Sequence, residues 1–205
     1  MGARKVGNTA TVRAFVAVRI NAEVEDSIAR FIARARAPGD GIGWTPRDKL
    51  HVTLKFLGAA INPERLAPLS VMLARVASAT AGFEIRARGT GVFPNLRRPR
   101  VIWAGLESEA LEHLARRVDE AASETGFASD KRRWSPHLTL GRVRDPHGAK
   151  SAARVVAAAC EREFGVSGIH EMRLYRSHPA AGGAVYETLA RFEFAAAVRI
   201  IPDGR

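Results

Sequence analysis

His51-Val52-Thr53-Leu54 and His137-Leu138-Thr139-Leu140 are two copies of one pattern, His-x-Thr-Leu, set 86 residues apart. With 6 His, 9 Thr and 14 Leu in 205 positions, a shuffled chain holds roughly 0.02 copies of this tetrapeptide. In a strand, residues i and i+2 face the same way. Each copy therefore places an imidazole and a hydroxyl on one face and turns two apolar side chains, Val52 and Leu54 or Leu138 and Leu140, toward a core.

Apolar periodicity around the two copies repeats as well. Residues 15–20 read as a buried strand, 23–37 as a helix stopped by Pro38-Gly39, 51–57 as a strand ending at Gly58, and 83–92 as a strand. Asn62-Pro63 caps the intervening helix, whose stripe is Leu66, Leu69, Leu73 and Val76. After a basic turn the order begins again. Residues 101–106 form a strand, Ser108 caps a helix ending at Gly126, and 137–140 form a strand. A helix is expected over 150–164, and strands over 169–176 and 186–194. Phe15 aligns with Val101, His51 with His137 and Phe83 with Ile169, all at the 86-residue spacing. The expected fold is α+β, a duplicated β-α-β-α-β unit whose two pseudo-symmetric lobes carry antiparallel sheets flanking a central cleft. Residues 1–13 are expected to be a disordered tail and 14–201 one bilobal domain, with lobe halves at about 14–95 and 100–200.

Composition narrows the function classes. No run approaches the roughly 20 apolar residues of a membrane helix, and Met1 to Arg13 lacks a signal-peptide core. A single cysteine, Cys160, excludes a disulfide framework and a thiolate zinc site, which fits a reducing cytoplasm. The net charge of +11 suits a polyanionic partner, although 27 of the 32 basic residues are Arg and arginine-rich composition alone could produce it. Arg97, Arg98 and Arg100, and Lys131, Arg132 and Arg133, form the two basic clusters.

Two facing strands of this kind bring two histidines and two threonines to one cleft. Histidine titrates near pH 6.5, so a neutral and a protonated imidazole coexist near neutrality and can serve as base and acid across one substrate. The threonine hydroxyls suit the non-bridging oxygens of an anion. A zinc site needs a third ligand nearby, whereas the residues after the motifs are Lys55 and Arg142, which attract an anion. No Gly-x-Ser-x-Gly elbow, phosphate-binding loop or dinucleotide fingerprint is present.

The paired motifs resemble the two-histidine (2H) phosphoesterase superfamily, and the text around them its RNA 2′,3′-cyclic phosphodiesterase branch, also called the 2′-5′ RNA ligase family. Stretches 13–18, 51–58, 91–94, 99–103, 136–142, 174–177 and 186–187 carry the likeness, which spans roughly residues 13 to 195. The resemblance implies metal-free, cofactor-free opening of a terminal 2′,3′-cyclic phosphate to a 2′-phosphate. His51 is then the proton donor to the leaving ribose oxygen and His137 the proton acceptor from water. Thr53, Thr139 and Arg142 hold the phosphate, and Phe56 stacks on the terminal base. Strand parity alone turns Phe56 away from His51, unless the strand bends before Gly58. Expected partners are RNA ending in a 2′,3′-cyclic phosphate, tRNA fragments included, or small cyclic nucleotides, met by a cytoplasmic monomer with no membrane contact. Other expectations from the same chemistry are a 2′-5′ oligonucleotide hydrolase or a reversible 2′-5′ RNA ligase. A noncatalytic RNA-end-binding module is the reading from another class.

Overall fold

The computed structural model describes residues 10–131, 134–181 and 183–196. In chain order the elements are β1 (Val12–Val18), α1 (Ala22–Ala35), β2 (Ile42–Trp44), β3 (Val52–Ile61), α2 (Leu66–Ser78), β4 (Phe83–Phe93) and β5 (Val101–Glu107). Then come α3 (Glu109–Glu124), β6 (His137–Val143), α4 (Pro146–Ala159), β7 (Glu163–Ile169), β8 (Glu171–His178) and β9 (Val185–Glu193). Antiparallel pairing arranges the strands in two sheets, β3-β1-β8-β9 and β2-β6-β5-β4-β7.

Local chemistry sets the helix starts. The side chains of Asn21, Ser108 and Asp145 accept the backbone N–H of Val24, Leu111 and Gly148, each filling one otherwise unpartnered donor of a first turn. Apolar stripes then seat the helices: Val24, Ile28, Phe31 and Ile32 on α1, and Leu111, Leu114, Val118 and Ala122 on α3, are buried.

The repeat is visible in the register itself. Ala17 pairs with Thr53 and Val18 with Val52; 86 residues on, Trp103 pairs with Thr139 and Ala104 with Leu138. The third alignment does not hold. Tyr175 of β8 occupies beside Phe15 the place that Phe93 of β4 occupies beside Val101, so the third strands correspond at a spacing of 82, from Phe93 to Tyr175. Phe83 and Ile169 are instead partners, paired across β4 and β7.

The lobes also differ from the sequence halves expected at 14–95 and 100–200. β2 and β4 from the first half join the sheet of β5 and β6, while β8 and β9 from the second half join that of β1 and β3. Helices cross over too: α1 packs on β7, whereas α3 packs on β3. Each half thus donates two strands and a helix to the other lobe, and neither lobe can bury its core without the other half.

Smaller differences have local causes. Val12 and Arg13 belong to β1, because Val12 pairs with Ile61 and is buried; the rest of the expected tail, residues 1–9, lies outside the described residues. The fourth helix starts at Asp145-Pro146, a cap followed by proline at the first turn. It ends before β7, a glycine-containing strand that apolar periodicity merged into its neighbours. The three-residue β2 is too short to register as a pattern.

Candidate active site

β3 and β6 approach one another at the junction of the sheets. Between them opens a cleft of about 490 Å³ that brings together all six candidates: His51, Thr53, Phe56, His137, Thr139 and Arg142. Their apolar neighbours Val52, Leu54, Leu138 and Leu140 are fully buried beneath, as alternation requires.

Phe56 and Arg142 reach the cleft by the same device. In the β1–β3 ladder Val16 pairs with Lys55 and Ala17 with Thr53, so Leu54 is an extra residue. In the β5–β6 ladder Ile102 pairs with Gly141 and Trp103 with Thr139, so Leu140 is extra. A bulge inserted after each threonine reverses the parity of the residues beyond it. Lys55 and Gly141 turn inward, and Phe56 and Arg142 turn out beside the histidine and threonine. Strict alternation aimed Phe56 the wrong way; the bend that could rescue it is this bulge.

Lys55 is the corresponding correction. It attracts no anion in the cleft, because it is 1% exposed beneath the sheet, with its Nζ 2.5 Å from Asp119 Oδ1, 3.1 Å from Asp130 Oδ2 and donating to the Ala128 carbonyl at 2.8 Å.

The two imidazoles are held alike. His51 Nδ1 lies 2.8 Å from the Lys49 carbonyl and His137 Nδ1 2.8 Å from the Ser135 carbonyl, two residues back in each case. A carbonyl only accepts, so each Nδ1 carries the hydrogen and each Nε2 is left for the cleft. Burial pushes both histidines below their ordinary pKa, opposed by these carbonyl bonds. The Arg142 charge lowers both further, and Arg19 and His137 add to the effect on His51. Around them the aromatic settings differ. His51 sits 5.0 Å from the Phe15 ring and 5.2 Å, edge-on, from Tyr186; His137 sits edge-on to Phe93 at 5.0 Å. Trp134, just before the second motif, donates its indole N–H to the Thr53 carbonyl at 3.1 Å and links one motif strand to the approach of the other.

The cleft also takes in residues that sequence reasoning missed, among them Arg13, Lys49 and Tyr186. Arg13 shares strand parity with Phe15, so β1 carried the signal once its start was known. Lys49 stands two residues before His51, where backbone position rather than side-chain type decides its place. Of the described residues lining the cleft, three are cationic (Arg13, Lys49, Arg142) and none is a carboxylate. Among the described residues no group of three or more His, Cys, Asp or Glu side chains is placed to hold a metal ion. Arg97, Arg98, Arg100 and Lys131 are exposed, and Arg132 and Arg133 lie outside the described residues.

The profile of the 2′-5′ RNA ligase superfamily matches residues 24–178. The chain belongs to that superfamily. It is 31% identical to an RNA 2′,3′-cyclic phosphodiesterase of Methanothermobacter thermautotrophicus, over 88% of this chain and 98% of that one. It is 34% identical to a protein of the same name from Geobacillus stearothermophilus over 93% of its own length, but spans only 59% of that longer relative. A crystal structure from Thermus thermophilus superposes with a TM-score of 0.78 at 29% identity, covering 90% of this chain and 99% of that one. The two antiparallel sheets are the superfamily's architecture, and the chain is an enzyme of this phosphoesterase kind.

Proposed function

We propose that the chain hydrolyses the 2′,3′-cyclic phosphate at RNA 3′ ends to a 2′-phosphomonoester, without a metal ion, using His51 and His137 as a proton-transferring pair. One observation carries the reading: two imidazoles, each pinned through Nδ1 to a carbonyl two residues back, present their Nε2 atoms to a cleft lined by three cations and no described carboxylate. The names of the relatives support the same substrate.

Water attacks phosphorus while neutral His137 takes its proton at Nε2. The P–O3′ bond breaks, and protonated His51 gives its Nε2 proton to O3′, leaving the phosphate on O2′. The hydroxyls of Thr53 and Thr139 donate to the non-bridging oxygens, and Arg142 neutralises their charge. Solvent then returns a proton to His51 and removes one from His137. The same reading makes the protein a cytoplasmic monomer, and no described helix is long and apolar enough to cross a membrane.

The deciding assay gives purified protein an oligonucleotide ending in a 2′,3′-cyclic phosphate, in EDTA, and follows the product by phosphorus NMR. Turnover to a 2′-phosphate in chelator is expected; turnover only after zinc or manganese is restored would overturn the metal-free mechanism. Salt separates RNA from small nucleotides. Each neutralised phosphate of a single strand adds about −0.7 to the log–log slope, so two to four contacts beyond the cleft give the oligonucleotide an extra slope of roughly −1.5 to −3. An equal slope for a cyclic mononucleotide would move the substrate to the small nucleotides.

A further inference from the structure

The two motif strands end differently at the mouth of the cleft. Phe56 is a large apolar side chain left 42% exposed there, and the Arg13 guanidinium carbon lies over its ring, 4.4 Å from the centroid. Arg13 is itself exposed and lines the cleft, and no ion pair or hydrogen bond of its side chain is found among the described residues. A cation–π contact at an exposed site is worth only about 0.5–1 kcal/mol. Its effect is chiefly to keep the guanidinium against a backing ring at the mouth of the cleft. The arrangement is confined to one lobe, since at the 86-residue spacing Phe56 corresponds to Arg142 and Arg13 to Pro99.

We propose that Arg13 is the base-recognition residue of the site: the terminal nucleobase stacks on its guanidinium plane, with Phe56 as the rigid backing beneath. This rests on the cyclic-phosphate reading above. Three observations carry it. A guanidinium plane is a standard stacking partner for an unpaired base, and this one has no carboxylate to hold it elsewhere. Across the bulge Thr53 lies opposite Ala17 and Phe56 opposite Phe15, two positions or about 7 Å along a strand, within a nucleoside's reach of a phosphate held at Thr53. At the corresponding position the other motif strand offers Arg142, with no cation–π partner among the described residues, which gives the bound nucleotide one direction: base toward Arg13, phosphate toward the histidines. Arg13 is thus a specificity residue.

The test uses adenosine 2′,3′-cyclic phosphate and base-free ribose 2,3-cyclic phosphate with the wild type, Arg13→Ala and Arg13→Lys. A stacked base contributes about 1–3 kcal/mol, so the adenosine-to-ribose ratio of kcat/KM should fall about tenfold in both variants, mainly through KM. Lysine keeps the charge and loses the plane. Wild-type selectivity in Arg13→Lys would overturn the proposal, because charge alone would then suffice. Unchanged or increased selectivity in Arg13→Ala would overturn it too, because the base would then stack on Phe56 directly. If the wild type turns over neither substrate, the functional reading fails instead, and calorimetry of 2′-AMP against ribose 2-phosphate on the same three proteins tests the base subsite separately. An equal loss of affinity for both ligands in Arg13→Ala would overturn it.

Discussion

β3 and β6 are built alike up to the bulge and differently beyond it. Both present histidine and threonine to the cleft, both bury the two apolar residues between and after them, and both insert one extra leucine against the neighbouring strand. At the next position β3 buries Lys55 against Asp119 and Asp130, whereas β6 has Gly141. A Cβ on Gly141 would meet Ile42 Cγ2 of β2 at 2.8 Å, so the added strand of the larger sheet needs that glycine. One position further, β3 offers Phe56 and β6 Arg142 to the cleft. The difference separates two tasks. On the proposed mechanism, proton transfer uses what the lobes share, and recognition uses what they do not.

The largest expected effect tests the shared part. His51→Ala and His137→Ala should each lower kcat by roughly 10²–10⁴, and the double variant should lose little more, because acid and base act in one step. Pre-steady-state turnover of a cyclic-phosphate substrate measures this. Near wild-type turnover by either single variant breaks the symmetry argument. Thr53→Val and Thr139→Val should each cost less, about tenfold to a hundredfold in kcat/KM, the worth of a hydrogen bond to a charged group. Comparable losses sharpen the comparison; a loss confined to one threonine shows the phosphate held by one lobe.

A smaller effect probes the unshared position. Lys55→Met leaves two carboxylates without their cation, but Asp119 and Asp130 are 25% and 52% exposed and can rehydrate. The cost should therefore fall below the roughly 3–5 kcal/mol of breaking a fully buried pair, at about 1–3 kcal/mol. Gly141→Ala should cost a similar amount for a different reason, overpacking against β2. Thermal unfolding reads both. A Gly141→Ala protein as stable as the wild type would show that β2 gives way freely.

Much of this was legible in the sequence because period-2 alternation and a strict spacing leave marks in residue type. His51, Thr53, His137 and Thr139 could be placed on one face from parity alone, and the cap Ser108 from its chemistry, whereas Asn62 accepts the Glu64 N–H at a 3-10 turn (Pro63–Arg65) ahead of α2, whose own start has no side-chain cap. Three things were not legible. A bulge changes parity without changing composition, so Phe56 was ambiguous and Lys55 was aimed at the wrong side. Strand exchange is decided by which edge a strand finds in three dimensions; β4 and β8 read identically whichever sheet they join. Arg13 was hidden because a basic, polar stretch looks like a tail until Val12 is seen to pair with Ile61.

The smallest effect concerns protonation, and its direction comes from the site. Burial and the Arg142 charge both disfavour the imidazolium, so in the free enzyme both histidines titrate below 6.5. On the proposed mechanism the active form needs one imidazolium and one imidazole, and kcat/KM reports the free enzyme. Its bell should therefore peak on the acid side of 6.5, with limbs that belong to the coupled pair rather than to either residue. A cyclic phosphate bound between the rings brings a negative charge that favours the imidazolium, so kcat should peak at higher pH than kcat/KM. Arg142→Met removes a cation that His51 and His137 share, so both titrations should rise and the kcat/KM optimum should move toward higher pH by less than about one unit. Phe56→Leu, at the corresponding place in the other lobe, carries no charge and should leave the optimum where it is. An optimum that stays fixed in Arg142→Met, or moves to lower pH, would mean that Arg142 does not act on the histidine pair.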